Sequence, residues 1–151
     1  ETRNRARGFE VEDTIAISLR LQGDVVATIT TSDCVPSIWA YESTTSPWEN
    51  PYFFYSPEDC YYFFGTKGSL TLPQMRHVWY PDPAKEGWQW PVQVDRLGVA
   101  PVHPLREEMR HFCRVIRREE QPRTSGRDAR RTLEVVLAIM KSGETGLPVE
   151  L

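Results

Sequence analysis

Three histidines and three cysteines are the side chains best suited to metal or nucleophile chemistry, and their spacing argues against both uses. His77, His103 and His111 stand singly, as do Cys34, Cys60 and Cys113. No C-x-x-C or H-x-x-x-H interval places two ligands on one turn or one helix face, so no metal site is expected. Glu107 and His111 fall at i and i+4 of a predicted helix, where a carboxylate and an imidazole could form an acid/base pair. Neither has a third group to orient it, and an exposed helical pair is the plainer reading. Cys113 lies on the apolar stripe of the same helix and reads as a small hydrophobe, not a nucleophile. The sequence contains neither a G-x-G-x-x-G turn nor a P-loop, so no cofactor site is expected within it.

The stretch from Ser32 to Pro57 is the ambiguous one. Pro36, Pro47, Pro51 and Pro57 interrupt it, and seven aromatic residues, Trp39 and Trp48 among them, lie between the prolines. Loops of this length inside a domain are usually functional. Trp39, Trp48, Glu49 and Asn50 combine flat apolar faces with hydrogen-bonding groups, the mix that recognises a sugar or other polyol. The same aromatics would equally serve to close a sheet edge or fill a subunit interface.

The elements that must position this loop come from hydrophobic periodicity. Ile15, Ile17, Leu19 and Leu21 alternate with Thr14, Ala16, Ser18 and Arg20, the period-2 pattern of a strand with one better-buried face. Gln22-Gly23-Asp24 supplies a tight reversal, and Val25 to Thr31 returns with β-branched residues at most positions. Glu1 to Gly8 reads as a loose lead-in or the end of a helix, with Phe9 to Val11 entering the first strand. Beyond the loop, Tyr61 to Phe64, Ser69 to Leu72, His77 to Tyr80 and part of Trp88 to Val94 read as strands. The period then changes. Pro104 opens a helix with Leu105, Met109, Phe112, Cys113 and Ile116 on one stripe. Ser125 and Asp128 make a capping box for a second helix, for which Gly143 is the expected stop. Leu147 to Leu151 could add a last short strand. Strands followed by helices indicate an α+β domain, an open, mostly antiparallel sheet with helices on one face.

The chain has 151 residues, 40% of them hydrophobic, enough for one domain with a real core. With Lys+Arg 18 against Asp+Glu 21 and a net charge of -3, it carries no footprint for a polyanion, and nucleic acid is not an expected partner. No apolar run is long enough to span a bilayer, and no signal peptide is evident. An odd number of widely spaced cysteines argues for a reducing compartment, the cytoplasm by default. The polar opening from Glu1, without an initiator Met, reads as a piece of something longer.

Several stretches together resemble the C-terminal domain of the Gfo/Idh/MocA family of NAD(P)-dependent oxidoreductases. They are Glu12-Asp13-Thr14 with its hairpin, Gly65-Thr66-Lys67-Gly68-Ser69-Leu70, and Pro104 through His111-Phe112. Pro122-Arg123-Thr124-Ser125-Gly126-Arg127-Asp128, Thr132-Leu133-Glu134-Val135 and the ending Lys141 to Val149 complete the resemblance, which covers nearly the whole chain. It implies an open antiparallel sheet of the glyceraldehyde-3-phosphate dehydrogenase C-terminal type, one face carrying helices and the other pairing with a second subunit. It further implies a sugar-like substrate at the junction with a preceding Rossmann domain that would hold NAD or NADP. That domain, the family's catalytic lysine and its Asp-x-x-x-His helix have no counterpart here. The expectation is therefore a substrate-binding and oligomerisation domain without catalytic residues of its own. The rival expectation is a standalone non-catalytic binding or assembly module of the same fold.

Overall fold

The computed structural model describes residues 2–4 (main chain only), 6–45, 51–100 and 102–151. The chain divides into two compact units, Glu1–Pro36 together with Gln121–Leu151, and Ser37–Glu120. Among the described residues the class is α+β, with antiparallel strands in two sheets, three helices and no barrel.

The first unit holds a three-stranded sheet in the order β1-β2-β3. Strands β2 (Thr14–Leu21) and β3 (Val25–Ser32) form the long hairpin, with Ile17 opposite Ile29 and Leu19 opposite Ala27. Along β2 the alternation holds from Ile15 to Arg20, where Ile15, Ile17 and Leu19 are half-buried and Ala16, Ser18 and Arg20 exposed, and fails at the ends, where Thr14 is half-buried and Leu21 exposed. The reversal takes positive φ at Gly23 (77°) and Asp24 (60°), which glycine and aspartate tolerate best. The lead-in is different from expectation. Thr2–Asn4 form a strand, β1, pairing antiparallel with β2, whereas Phe9 to Val11 lie outside any strand. A three-residue strand has no readable period, and its place is set by the β2 edge it borders.

The second unit holds a four-stranded meander, β4 (Tyr61–Gly65), β5 (Gly68–Leu72), β6 (Arg76–Trp79) and β7 (Gln93–Arg96), in that order. Register places Tyr61, Phe63, Leu70, Leu72, His77 and Trp79 on one face with Gln93 and Asp95. Tyr62, Phe64, Thr71, Arg76 and Val78 take the other. All pairings in both sheets join chain neighbours. The long excursion between β3 and β4 carries the short helix α1 (Tyr41–Thr45), whose five residues are too few to show a helical period.

Helix α2 (Pro104–Ile116) starts at Pro104 as its sequence demands. It ends in a Schellman turn: Arg118 N–H donates to Val115 O (3.0 Å), Glu119 N–H donates to Arg114 O (2.9 Å), and Arg118 sits at φ 63°. Helix α3 (Gly126–Thr145) begins with the expected capping box, Ser125 Oγ accepting from Asp128 N and Asp128 Oδ2 accepting from Ser125 N at 2.9 Å. It runs through Gly143 and stops at Gly146, which takes φ 69° and donates to Ser142 O at 2.8 Å. No strand follows it; residues 148–151 are irregular.

No apolar side chain is buried among the described residues; Asp13, Ser43, Thr44, Ser56 and Asp59 are. The apolar stripes of both helices stand open, Phe112 and Leu137 at 55% exposure each.

Candidate functional site

The second unit contains a cleft of about 470 Å³. One wall is built by α1 and its flanks. Ala40 O caps the helix by accepting from Ser43 N and Thr44 N (3.1 and 3.0 Å), and Ser56 N–H donates to Ser43 O (3.0 Å), drawing the far end of the excursion back onto α1. Thr44 Oγ1 donates to Tyr41 O and to Cys60 Sγ (3.1 and 3.3 Å), and Thr45 Oγ1 donates to Tyr41 O (2.8 Å). Tyr41 and Tyr61 meet edge to face, ring centroids 6.1 Å apart, and Tyr55 joins them in lining the space.

The floor is the turn between β5 and β6, where Pro73, Gln74 and Met75 line the cleft beside Leu72. Met75 adopts φ 53°, a conformation disfavoured for a side chain without a local hydrogen-bonding group. Its carbonyl accepts from Leu97 N at 2.9 Å. The turn is held from behind by Asp59, whose side chain is fully buried. One carboxylate oxygen accepts from Gln74 N (2.8 Å); the other accepts from Thr71 Oγ1 (2.7 Å) and from Arg76 Nε and Nη2, the former at 2.9 Å. Burial works to raise the Asp59 pKa. The bonds from Thr71, Arg76 and Gln74, with the guanidinium charge, outweigh it and hold the carboxyl below its usual range. Cys60, the next residue, donates its N–H to Leu72 O at 2.9 Å.

Trp39 is exposed, donates its N–H to Ser37 Oγ (3.0 Å), and is not among the cleft-lining residues. Trp48, Glu49 and Asn50 lie outside the described residues. Glu107 and His111 do not pair with each other: Glu107 accepts from Arg110 Nη1 (2.6 Å), and His111 Nδ1 lies 2.8 Å from Glu120 Oε2, which the Schellman turn swings back beside α2. Tyr41, Tyr55, Gln74 and Asp59 were not singled out from sequence. The proline-broken aromatic stretch did point to the wall that Tyr41 and Tyr55 belong to, but nothing in the spacing of Asp59, Thr71, Gln74 and Arg76 announces a network.

Two other polar clusters are present. In the first unit Asp13 is buried and accepts from Arg7 N (2.7 Å) and Thr14 Oγ1 (3.1 Å). The Arg7 main-chain bond, chiefly, holds its pKa below the ordinary value against burial. On the four-stranded sheet Trp79 Nε1 donates to Asp95 Oδ2 (2.8 Å) and the Trp79 ring stacks on His77. Among the described residues no cluster of three or more His, Cys, Asp or Glu could hold a metal ion, and no helix is long and apolar enough to cross a membrane.

The three helices among the described residues begin differently. At α3 the capping box already engages the Ser125 and Asp128 N–H groups and sets a carboxylate there, α2 opens on a proline with no N–H to offer, and α1 is a single turn.

The chain is thus of the antiparallel α+β class, with a cleft walled by tyrosines and no glycine-rich phosphate turn in its sequence. The family model described as the oxidoreductase family's C-terminal alpha/beta domain matches residues 1–151, and the chain belongs to that family, Gfo/Idh/MocA. Comparison with curated proteins and with solved structures finds no match.

Proposed function

We propose that this chain is the substrate-binding and oligomerisation domain of an oxidoreductase that acts on a hydroxyl of a sugar or polyol, with NAD or NADP held by another part of the full-length protein. The observation that carries the reading is the cleft, in a chain matched end to end by an oxidoreductase domain. Tyrosine rings offer faces for the C–H side of a sugar ring, while hydroxyls and an amide around them suit its oxygens. Trp39, Trp48, Glu49 and Asn50 belong to the same excursion that supplies Tyr41, Thr44 and Tyr55 to the wall, and we keep them as candidates for substrate contact. Three free thiols, Cys34, Cys60 and Cys113, accord with a reducing cytoplasm. The sheet face bearing Phe63, Leu70, His77 and Trp79 is the more apolar of the two and is our choice for pairing with a second copy.

The test is turnover by the full-length protein. Glucose, xylose, sorbitol and inositol are offered with NAD and with NADP, and formation of the reduced nicotinamide is followed. At least one should be oxidised, and Trp48→Ala and Glu49→Ala should lower kcat/KM by more than about twofold, roughly 0.4 kcal/mol. Calorimetric titration of the 151-residue chain with either dinucleotide should show no binding tighter than about millimolar. The second reading, a non-catalytic module of the same fold, gains if no sugar or polyol is turned over.

A further inference from the structure

We propose that Gln74 is the side chain with which the cleft selects its substrate, by binding two adjacent hydroxyls, and that Asp59 is the positioning residue that holds it in place. The inference rests on the sugar or polyol reading above. Beside the tyrosine hydroxyls, each a single rotatable O–H, the threonine and cysteine groups of the cleft are already engaged. Thr44 Oγ1 is given to Tyr41 O and Cys60 Sγ, Thr45 Oγ1 to Tyr41 O, and the Cys60 sulfur accepts from Thr44. Gln74, by contrast, is a half-buried lining residue whose side-chain amide makes no hydrogen bond among the described residues, which leaves that amide free for a ligand. An amide is a donor and an acceptor side by side, Nε2 and Oε1. That pair matches two neighbouring hydroxyls, one accepting from Nε2 and the other donating to Oε1.

A half-exposed amide selects nothing if its own main chain wanders, and here it is fixed. Gln74 N donates to the fully buried Asp59 carboxylate at 2.8 Å, and Thr71 and Arg76 fasten that carboxylate to β5 and β6. Met75 is bonded through its carbonyl to Leu97 N on the opposite side. The turn is thereby pre-organised, which reduces the ordering lost when substrate binds.

The experiment uses the full-length protein and whichever of glucose, xylose, sorbitol or inositol it turns over, with the series of analogues each lacking one hydroxyl. In the wild type, loss of either of two adjacent hydroxyls should raise KM about tenfold, the scale of one or two neutral hydrogen bonds. Gln74→Ala should raise KM for the parent compound by a similar factor and leave kcat within about twofold, the pattern of lost ground-state binding. It should also abolish discrimination at those two positions and at no others. Asp59→Asn should reproduce this loss, with the double variant no worse than either single one. Thr71→Val, which removes one bond to Asp59 and keeps the shape, should act in the same direction more weakly, and it replaces Asp59→Asn if that variant does not fold. Should Gln74→Ala keep the wild-type preference against every deoxy analogue, the selecting role is overturned while the sugar reading stands. Intact discrimination in both Asp59→Asn and Thr71→Val overturns the positioning role. If the wild type turns over none of the probes, the substrate class is wrong and the inference falls with it.

Discussion

At the scale of the residue, Asp59 carries the most consequence. Its carboxylate joins the strand-to-strand turn of the cleft floor to two strands, and burial leaves it no water to fall back on. Replacing it by asparagine keeps the shape but sets an amide N–H₂ either against the Thr71 and Arg76 donors, which share one oxygen, or against Gln74 N. Hydrogen bonds to charged groups contribute about 1.5–3 kcal/mol, and a fully buried ion pair broken on one side about 3–5. Arg76 keeps 39% of its side chain exposed, so about 2 kcal/mol is expected, a fall of roughly 4–8 °C in Tm at neutral pH. The loss should depend on pH. Because the folded pKa of Asp59 is held below its ordinary 3.8, the unfolded chain binds the proton more readily, and stability is gained as pH rises through the interval between the two values. The stabilising contribution is present above that interval and is lost as pH falls through the folded value. The Tm gap between wild type and Asp59→Asn should therefore narrow below about pH 4, as thermal melts across the acid range will show; a gap that stays constant would contradict the assignment. None of this was legible in the sequence, since Asp59, Thr71, Gln74 and Arg76 meet only through the turn and the β5–β6 pairing.

At the scale of the element, the ends of the helices are where sequence and structure can be compared most sharply. The Ser125 capping box was legible because its whole chemistry lies within four consecutive residues, and Ser125→Ala should destabilise by about 1 kcal/mol. The stop of α3 was misplaced because glycine at Gly143 and glycine at Gly146 look alike in sequence, and only one of them adopts the left-handed conformation. Gly146→Ala, although a Cβ there meets nothing within 4 Å, should cost about 1 kcal/mol through strain alone. The end of α2 runs the other way. Arg118 holds a left-handed φ without being glycine, so Arg118→Gly should stabilise by about 0.5–1 kcal/mol and raise Tm. Opposite signs at the two helix ends in thermal melts are the expected outcome; the same sign at both would contradict the cap geometry. The strands were legible where they alternate, as in β2, and illegible where three residues take their place from a neighbour, as in β1.

At the scale of the whole molecule, the described residues bury polar side chains and leave the apolar ones open, Phe63 and Phe64 at 54% and 82%. Pairing with a second copy, as proposed above, would cover part of this apolar surface. Sedimentation of the chain should show a dimer or larger species, and Phe63→Glu, on the face with Leu70 and Trp79, should shift it toward monomer. If Phe64→Glu does so and Phe63→Glu does not, the opposite face is the interface. The family was legible because its matching stretches run in order along nearly the whole chain; the cleft was legible only as an aromatic, proline-broken excursion, because its floor comes from a turn with no pattern of its own. The proposed function requires that a sugar or polyol bind in this cleft. The most direct measurement is nuclear magnetic resonance of the chain, isotopically labelled, titrated with the sugar or polyol that the full-length protein turns over. Binding in the cleft should give saturable shift changes centred on Tyr41, Tyr55, Tyr61 and the Gln74 side-chain amide; changes confined to other surfaces, with these four unmoved, would contradict it.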